Sequence, residues 1–221
     1  MIRRNMKTIL TGGITAIEPV PFGTAEWYFG RSGNPSDLYE AQEQYQQGHM
    51  EGNSFCLIHY PDGTVYRPYI PKTAECMDTP VYLDGMIYFL IVNFEEQAIR
   101  ICRFDCHSHE TAIHMELPLD AVKNCYNLKL HIRPLCLTRQ GDDNRFEVIW
   151  PERISFAMDA HESFFLRDGE KLYFSRWQEE GDGADYRYWE ETVVRNLSGE
   201  QTEVLPGDIR MMPNGERWHL R

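Results

Sequence analysis

Two stretches decide the fold of this chain. Residues 80–89 read Pro-Val-Tyr-Leu-Asp-Gly-Met-Ile-Tyr-Phe, and residues 163–174 read Ser-Phe-Phe-Leu-Arg-Asp-Gly-Glu-Lys-Leu-Tyr-Phe. Each contains an aromatic and aliphatic run, an Asp-Gly pair, and a second run that ends in Tyr-Phe. Asp-Gly between two β-rich runs is a strong hairpin signal, because glycine adopts the positive φ that a tight turn requires. The sequence therefore predicts two similar β-hairpins.

The two hairpins belong to a longer repeat. Gly85 and Gly169 lie about 84 residues apart, which is twice a period of about 42. Similar turn positions recur at residues 23, 85, 127, 169 and 215. Each repeat reads as four short antiparallel strands, and the predicted units are residues 14–70, 77–118, about 121–160, and 163–206. Residues 208–221 supply two more strands, and we expect a strand at residues 6–11 to complete this fifth unit.

This period and strand count resemble those of β-propeller repeat proteins, in which each blade is a four-stranded antiparallel sheet. The resemblance lies at the level of the fold, since neither a Trp-Asp repeat signature nor a kelch signature is present. It implies that residues 1–221 form one all-β domain, a five-bladed propeller with one helical insertion. A β-sandwich is the alternative fold.

The helical insertion is predicted at residues 35–47. Asn34 or Ser36 is suited to cap its first turn, and Gly48 is suited to end it. Its few apolar residues form a narrow stripe, so we expect a surface helix.

Composition limits the classes of partner. The formal net charge of −12 argues against non-specific binding to nucleic acid or to anionic membranes. No apolar run approaches the roughly 18 residues that a membrane span requires, and no signal-peptide core follows the N-terminus, so we expect a cytoplasmic protein. Six cysteines in apolar, strand-like segments are typical of reduced core thiols.

The sequence predicts neither a metal site nor a cofactor. Cys102 and Cys106 are four residues apart on a predicted strand, about 13 Å at the rise of a strand, so they cannot share a zinc ion without a bend. We expect His107 and His109 to lie in an exposed turn. No phosphate-binding loop or common hydrolase motif is present.

Acidic residues stand near the start of each predicted inner strand. Carboxylates gathered around one axis raise one another's pKa, and this produces general acids and bases. The pattern resembles that of five-bladed glycosidases and of fructan- or arabinan-processing enzymes. If the protein is an enzyme, the candidate catalytic residues are Asp78, Glu162, Asp208 and Glu18. Since 34 of the 221 residues are acidic, solvated turn carboxylates are the alternative interpretation.

Aromatic residues suggest a binding surface. The acidic segment 178–185 precedes a Tyr-Arg-Tyr-Trp run at residues 186–189, and a loop of this kind on a rigid scaffold suits recognition. The alternative interpretations are a solvated loop with no partner and aromatic residues that pack between blades. The candidate ligand-binding residues are His161, Trp177, Tyr188 and Trp189. The leading hypothesis is a non-catalytic binding module that recognises a protein partner or a small polar ligand such as a sugar, with a lectin-like propeller as the nearest analogy. The alternatives are a carbohydrate-active enzyme and an assembly protein that acts through contacts between copies.

Overall fold

The chain is almost entirely built from short antiparallel strands. The computed structural model describes residues 6–33, 37–212 and 214–221. Its strands form four successive sheets of four or five strands and one sheet of two strands. Sheet 1 contains β1 (Ile17–Pro19), β2 (Trp27–Gly33), β3 (Asn53–His59) and β4 (Thr64–Tyr66). Sheet 2 contains β5 (Glu75–Met77), β6 (Val81–Leu83), β7 (Met86–Asn93), β8 (Ala98–Asp105) and β9 (Thr111–Pro118).

The remaining sheets continue the same order along the chain. Sheet 3 contains β10 (Lys129–His131), β11 (Cys136–Gln140), β12 (Arg145–Trp150) and β13 (Ile154–Ala157). Sheet 4 contains β14 (Glu162–Asp168), β15 (Lys171–Glu180), β16 (Arg187–Arg195) and β17 (Gln201–Pro206). The two-stranded sheet pairs β18 (Asp208–Met211) with β19 (Arg217–Leu220). Turns of 3₁₀ helix lie at Leu119–Ala121 and Gly183–Asp185.

The small sheets are arranged in a ring, so the fold is all-β and propeller-like, but it has four blades. The prediction of five blades is wrong. Residues 6–11 form no strand and do not extend the sheet of β18 and β19. Instead, Lys7 Nζ donates hydrogen bonds to the carbonyl oxygens of Pro61 and Asp62. Ile9 packs beside Ile14 on the face of sheet 1 that points away from sheet 2, because that face offers apolar surface to bury.

The five predicted turn positions all have positive φ, with values of 77° at Gly23, 80° at Gly85, 46° at Asn127, 58° at Gly169 and 85° at Gly215. Four of them join two adjacent strands of one sheet. Asn127 does not, because it precedes β10, and the β10–β11 turn occupies residues 132–135. The local turn was therefore predicted correctly, while its place within the third unit was not.

Strand β7 shows how the sheets pack on one another. Its Ile87, Phe89 and Ile91 side chains are fully buried in a cluster shared with sheet 1. The residues between them belong to a second cluster, shared with sheet 3. A strand alternates its side chains between two faces. The continuous apolar run of β7 therefore packs against sheet 1 on one face and against sheet 3 on the other.

A third cluster joins sheets 3 and 4. It contains Phe146 of β12, Phe156 of β13 and Phe174 of β15, and the ring centroid of Phe146 lies 5.2–5.3 Å from those of the other two. Pairs of this geometry contribute more than the burial of their area alone.

Helix α1 (Leu38–Gln46) is inserted between β2 and β3. Its Leu38 and Ala41 side chains enter the cluster between sheets 2 and 3, so the predicted narrow apolar stripe is present. Asp37 caps the helix by accepting a hydrogen bond from the Glu40 amide at 2.8 Å, and the predicted caps Asn34 and Ser36 lie outside the described residues. Gly48 follows the helix with a φ of 77°, as expected for a residue that ends it.

We expect Phe146→Ala to lower the free energy of unfolding by about 3–5 kcal/mol, because the substitution leaves a cavity among rings that are already in contact. Urea unfolding followed by circular dichroism measures the change. Ile113→Ala is the matched control, because Ile113 is 58% exposed on β9, and its effect should stay within about 0.5 kcal/mol. Equal effects of the two substitutions would contradict this assignment of the core.

Candidate functional site

Asp78 lies at an interruption in the inner strand of sheet 2. Strands β5 and β6 both pair with β7, and the register shifts by one residue between Met77–Ile91 and Val81–Tyr88. Pro80 in this interruption has no amide to donate to the sheet. The Asp78 amide still donates to the carbonyl of Leu90 at 3.1 Å. The bulge directs this part of the chain towards a neighbouring cavity.

That cavity has a volume of about 200 Å³ and lies between helix α1 and sheets 2 and 3. Its polar lining includes Asp37, Asp78, Tyr126 and Lys129. Burial raises the pKa of Asp78, and the negative charge of Asp37 acts in the same direction. The Thr79 amide and the charges of Lys129 and Arg31 oppose this rise without cancelling it. The cavity is thus a small polar site with one shielded carboxyl group.

Glu162, the first residue of β14, is completely buried in an ion-pair cluster. Its Oε1 and Oε2 accept hydrogen bonds from Arg195 Nη2 at 2.9 Å and from Arg195 Nε at 3.1 Å. Arg176 Nη1 lies 3.7 Å from Oε1, and Asp159 Oδ2 also accepts from Arg195 Nη2 at 2.9 Å. Burial lowers the pKa of Arg195, but the carboxylates of Glu162 and Asp159 raise it further than burial lowers it. Both oxygens of Glu162 are therefore engaged in holding sheet 4 together.

The other two predicted catalytic carboxylates lie elsewhere. Asp208 Oδ2 pairs with Arg210 Nε at 2.6 Å and lines a second cavity, of about 220 Å³, beside Phe22 and Phe165. Glu18 is exposed on β1. Asp78 and Asp208 line different cavities, and neither Glu18 nor Glu162 lines either of these two. These two cavities bring no two of the four predicted carboxylates together, so catalysis by them stays a prediction.

A two-stranded ribbon projects from sheet 4. Strands β15 and β16 are paired without a break from Leu172–Arg195 to Glu180–Arg187. Strand β14 pairs with β15 only as far as Arg176, and β17 pairs with β16 only as far as Glu191. Residues 177–190, which we call the ribbon, therefore extend beyond both neighbouring strands. The predicted acidic loop, residues 178–185, begins as strand up to Glu180, and its remainder forms the tip of the ribbon with a 3₁₀ turn at Gly183–Asp185.

The register of the ribbon separates its side chains into two faces. Directly opposed residues of an antiparallel pair share a face, and Trp177 opposes Glu190 while Glu179 opposes Tyr188. These four residues lie on one side. Tyr186 joins them, because its hydroxyl donates to Glu179 Oε2 at 3.1 Å. We call these five residues the acidic-aromatic face.

Three of the four predicted ligand-binding residues come together on this side. The imidazole of His161 stacks on the indole of Trp177 with centroids 3.6 Å apart and planes 9° from parallel, and Tyr188 lies on the same face. Trp189 opposes Gln178 on the other face, and its Nε1 donates to Glu191 Oε1 at 3.2 Å. The sequence placed Trp189 with the others because it is adjacent to Tyr188, but adjacent residues of a strand point in opposite directions.

The aromatic residues of the face are exposed. Trp177 is 38% exposed, Tyr186 51% and Tyr188 53%. The Tyr188 hydroxyl donates to Glu190 Oε1 at 3.0 Å. These hydrogen bonds to Glu179 and Glu190 raise the pKa of Tyr186 and of Tyr188. Glu179 and Glu190 were not among the predicted site residues, and the alternation of side chains from residue 177 to residue 190 is the signal that would have revealed them.

The cysteines provide no activated nucleophile. All six are free thiols, and five are buried. Cys106 is the partly exposed one, and burial still raises its pKa to about 12. A thiol with such a pKa is protonated near neutral pH and is a weak nucleophile. His107 and His109, predicted in a turn, are exposed in the turn that follows β8.

Among residues 6–33, 37–212 and 214–221, no group of three or more His, Cys, Asp or Glu side chains is arranged to hold a metal ion. No helix in the described part of the chain has the length and apolar character that crossing a membrane requires.

We expect Glu162→Gln to lower the free energy of unfolding by about 2 kcal/mol, because it leaves the buried Arg195 guanidinium with a neutral partner in place of a carboxylate. The neighbouring Asp159 moderates the loss. Chemical denaturation measures it, with Glu203→Gln on the exposed strand β17 as the control. An unchanged stability in Glu162→Gln would show that the pair is not structural.

A carboxyl group whose pKa is higher in the folded state than in the unfolded state lowers stability as the pH rises past the unfolded-state pKa, and the loss is complete above the raised folded-state pKa. We therefore expect Asp78→Asn to raise the melting temperature relative to the unsubstituted protein at about pH 7.5, and to raise it less at about pH 4.5. Thermal unfolding at both pH values measures the difference. Destabilisation by Asp78→Asn at the higher pH would mean that Lys129 and Arg31 hold the carboxylate charged.

The comparisons with known proteins leave the family open. No family model and no curated protein matches this chain. Among solved structures, the chain is similar to dipeptidyl peptidase 4 from Porphyromonas gingivalis, with 11% sequence identity and a TM-score of 0.42. The similarity covers 86% of this chain and 31% of the peptidase.

Proposed function

We propose that the protein is a non-catalytic binding module that recognises its partner through the acidic-aromatic face of the ribbon. The observation that carries this proposal is the exposure of Trp177, Tyr186 and Tyr188 together on one side of a projecting ribbon. Tryptophan and tyrosine are the residue types most enriched among those that dominate binding energy at interfaces.

The base of the ribbon supports this role. Phe174 and Val193, on the strands that continue into the ribbon, are fully buried in the cluster between sheets 3 and 4. Arg176 joins β15 to Glu191 of β16 through a contact of 2.9 Å. A surface held by a packed core loses little conformational freedom when it binds, and this favours affinity.

The shape of the face favours a protein partner over a small ligand. Five cavities of about 40–250 Å³ in the described part of the chain are all lined by residues outside the ribbon. Small ligands are usually enclosed in a pocket, whereas an open face suits an extended surface. A sugar ring stacked on Trp177 is the second candidate, and it would take the face of the indole opposite His161, because the imidazole stacks on the other face. The carbohydrate-active enzyme has no comparable observation in its favour.

We expect Trp177→Ala with Tyr188→Ala to weaken binding by at least about 30-fold, the loss typical of residues that dominate an interface. Cross-linking in an extract of the cells that express the protein, followed by titration of the captured partner, measures this. Thermal unfolding against a panel of mono- and oligosaccharides tests the sugar alternative in parallel.

Trp189→Ala is the matched control. Trp189 lies on β16 beside Tyr188 and is 39% exposed, close to the 38% of Trp177 on β15, but it belongs to the opposite face. The proposal requires that Trp189→Ala leave binding unchanged. Equal losses in both variants, or no loss in either, would exclude the acidic-aromatic face as the recognition surface.

A further inference from the structure

We infer that the partner of the acidic-aromatic face is a basic protein segment that presents arginine side chains to Trp177, Tyr186 and Tyr188. This inference rests on the proposed function and specifies the chemistry of the partner. It follows from the negative charge around the exposed rings, and from the hydrogen bonds that fix the Glu179 and Glu190 carboxylates beside Tyr186 and Tyr188.

The ribbon carries an excess of unneutralised negative charge. Its acidic residues are Glu179, Glu180, Asp182, Asp185 and Glu190, and its one basic residue is Arg187. The ion pairs among the described residues engage none of these five carboxylates. By contrast, Glu191 at the base of the ribbon pairs with Arg176, and the buried Glu162 pairs with Arg195. The carboxylates at the base of the ribbon are therefore paired, whereas the ribbon itself, in which Arg187 lies opposite Glu180, keeps an excess of four negative charges (five acidic residues and one basic residue).

Two of the carboxylates are fixed beside the exposed rings. Glu179 accepts from the Tyr186 hydroxyl and Glu190 accepts from the Tyr188 hydroxyl. A carboxylate has about four lone-pair directions, so each retains acceptor capacity after this hydrogen bond. The face thus offers anchored anionic acceptors next to the planes of an indole and two phenols.

Arginine matches this combination better than other side chains. Its guanidinium is planar, stacks on aromatic rings, and donates to carboxylates through a fork of N–H groups. Lysine supplies the charge but not the plane. A neutral sugar uses the rings and the acceptors but gains nothing from the uncompensated charge. Polyanions are repelled, both by the ribbon and by the net charge of −12.

The test measures fluorescence anisotropy of short labelled peptides in which arginine alternates with serine. Matched peptides carry lysine or glutamine at the arginine positions. We expect the arginine peptide to bind most tightly, the lysine peptide more weakly, and the glutamine peptide not at all. Raising the salt from about 50 mM to about 300 mM should weaken the arginine complex by about tenfold, because exposed charges are then screened.

Two pairs of variants separate the face from general attraction to an acidic protein. Glu179→Gln with Glu190→Gln should weaken arginine-peptide binding by at least about tenfold. Glu110→Gln with Glu170→Gln removes the same charge from exposed turns of sheets 2 and 4 away from the ribbon, and it should change binding by less than about twofold. Trp177→Ala should weaken binding, and Trp189→Ala should not.

The inference is overturned if the glutamine peptide binds as well as the arginine peptide, or if both charge-removing pairs weaken binding equally. It is also overturned, while the proposed function stands, if the captured partner or a sugar requires Trp177 and Tyr188 but the arginine peptide does not bind. If neither the peptides nor any partner depends on Trp177 and Tyr188, the proposed function fails as well.

Discussion

Apolar side chains on both faces of the central strands impose the architecture of this protein. In β7, Ile87, Phe89 and Ile91 pack against sheet 1, while Tyr88, Leu90 and Val92 pack towards sheet 3. A sheet with two apolar faces must be covered on both sides. Because the strands within each sheet twist relative to one another, sheets that pack face to face in succession turn about an axis, which is consistent with the propeller-like ring.

A second constraint on the fold is that its buried charged side chains must be paired. Glu75 at the start of β5 and Glu162 at the start of β14 are both fully buried, and they face Arg100 and Arg195 respectively. In sheet 3, the buried Arg139 contacts Glu147 at 2.7 Å. A charge in such a position is tolerated only when it is paired and hydrogen-bonded. These carboxylates therefore help to hold neighbouring strands together. Because both oxygens of Glu162 are engaged by Arg195, this residue is not available as a general acid or base.

The acidic-aromatic face arises from a difference in strand length. Strands β15 and β16 continue past β14 and β17, whose pairing ends at Arg176 and Glu191. Beyond those positions no strand among the described residues pairs with the sides of the ribbon, although the Gly207 amide donates to the Glu190 carbonyl and the His161 ring stacks on Trp177. Side chains that would otherwise be covered by a blade remain in solvent. Recognition through Trp177, Tyr186 and Tyr188 would therefore use surface that the packing of the ring does not require, which allows a rigid core and a binding surface to coexist.

Local signals in the sequence were sufficient for the turns and the all-β class, because Asp-Gly pairs and alternating apolar residues act over a few neighbouring positions. They were insufficient where residues distant along the chain compete for the same surface. The segment at residues 6–11 covers sheet 1 and completes no blade, Asn127 precedes a strand, and Trp189 faces away from Trp177. Each outcome depends on which face or edge is left uncovered after the sheets have packed. The sequence by itself thus determined the hairpins and their order, whereas the tertiary structure alone decided the number of blades, the structural use of Glu162 and the membership of the acidic-aromatic face, because burial and pairing are settled between segments and not within them.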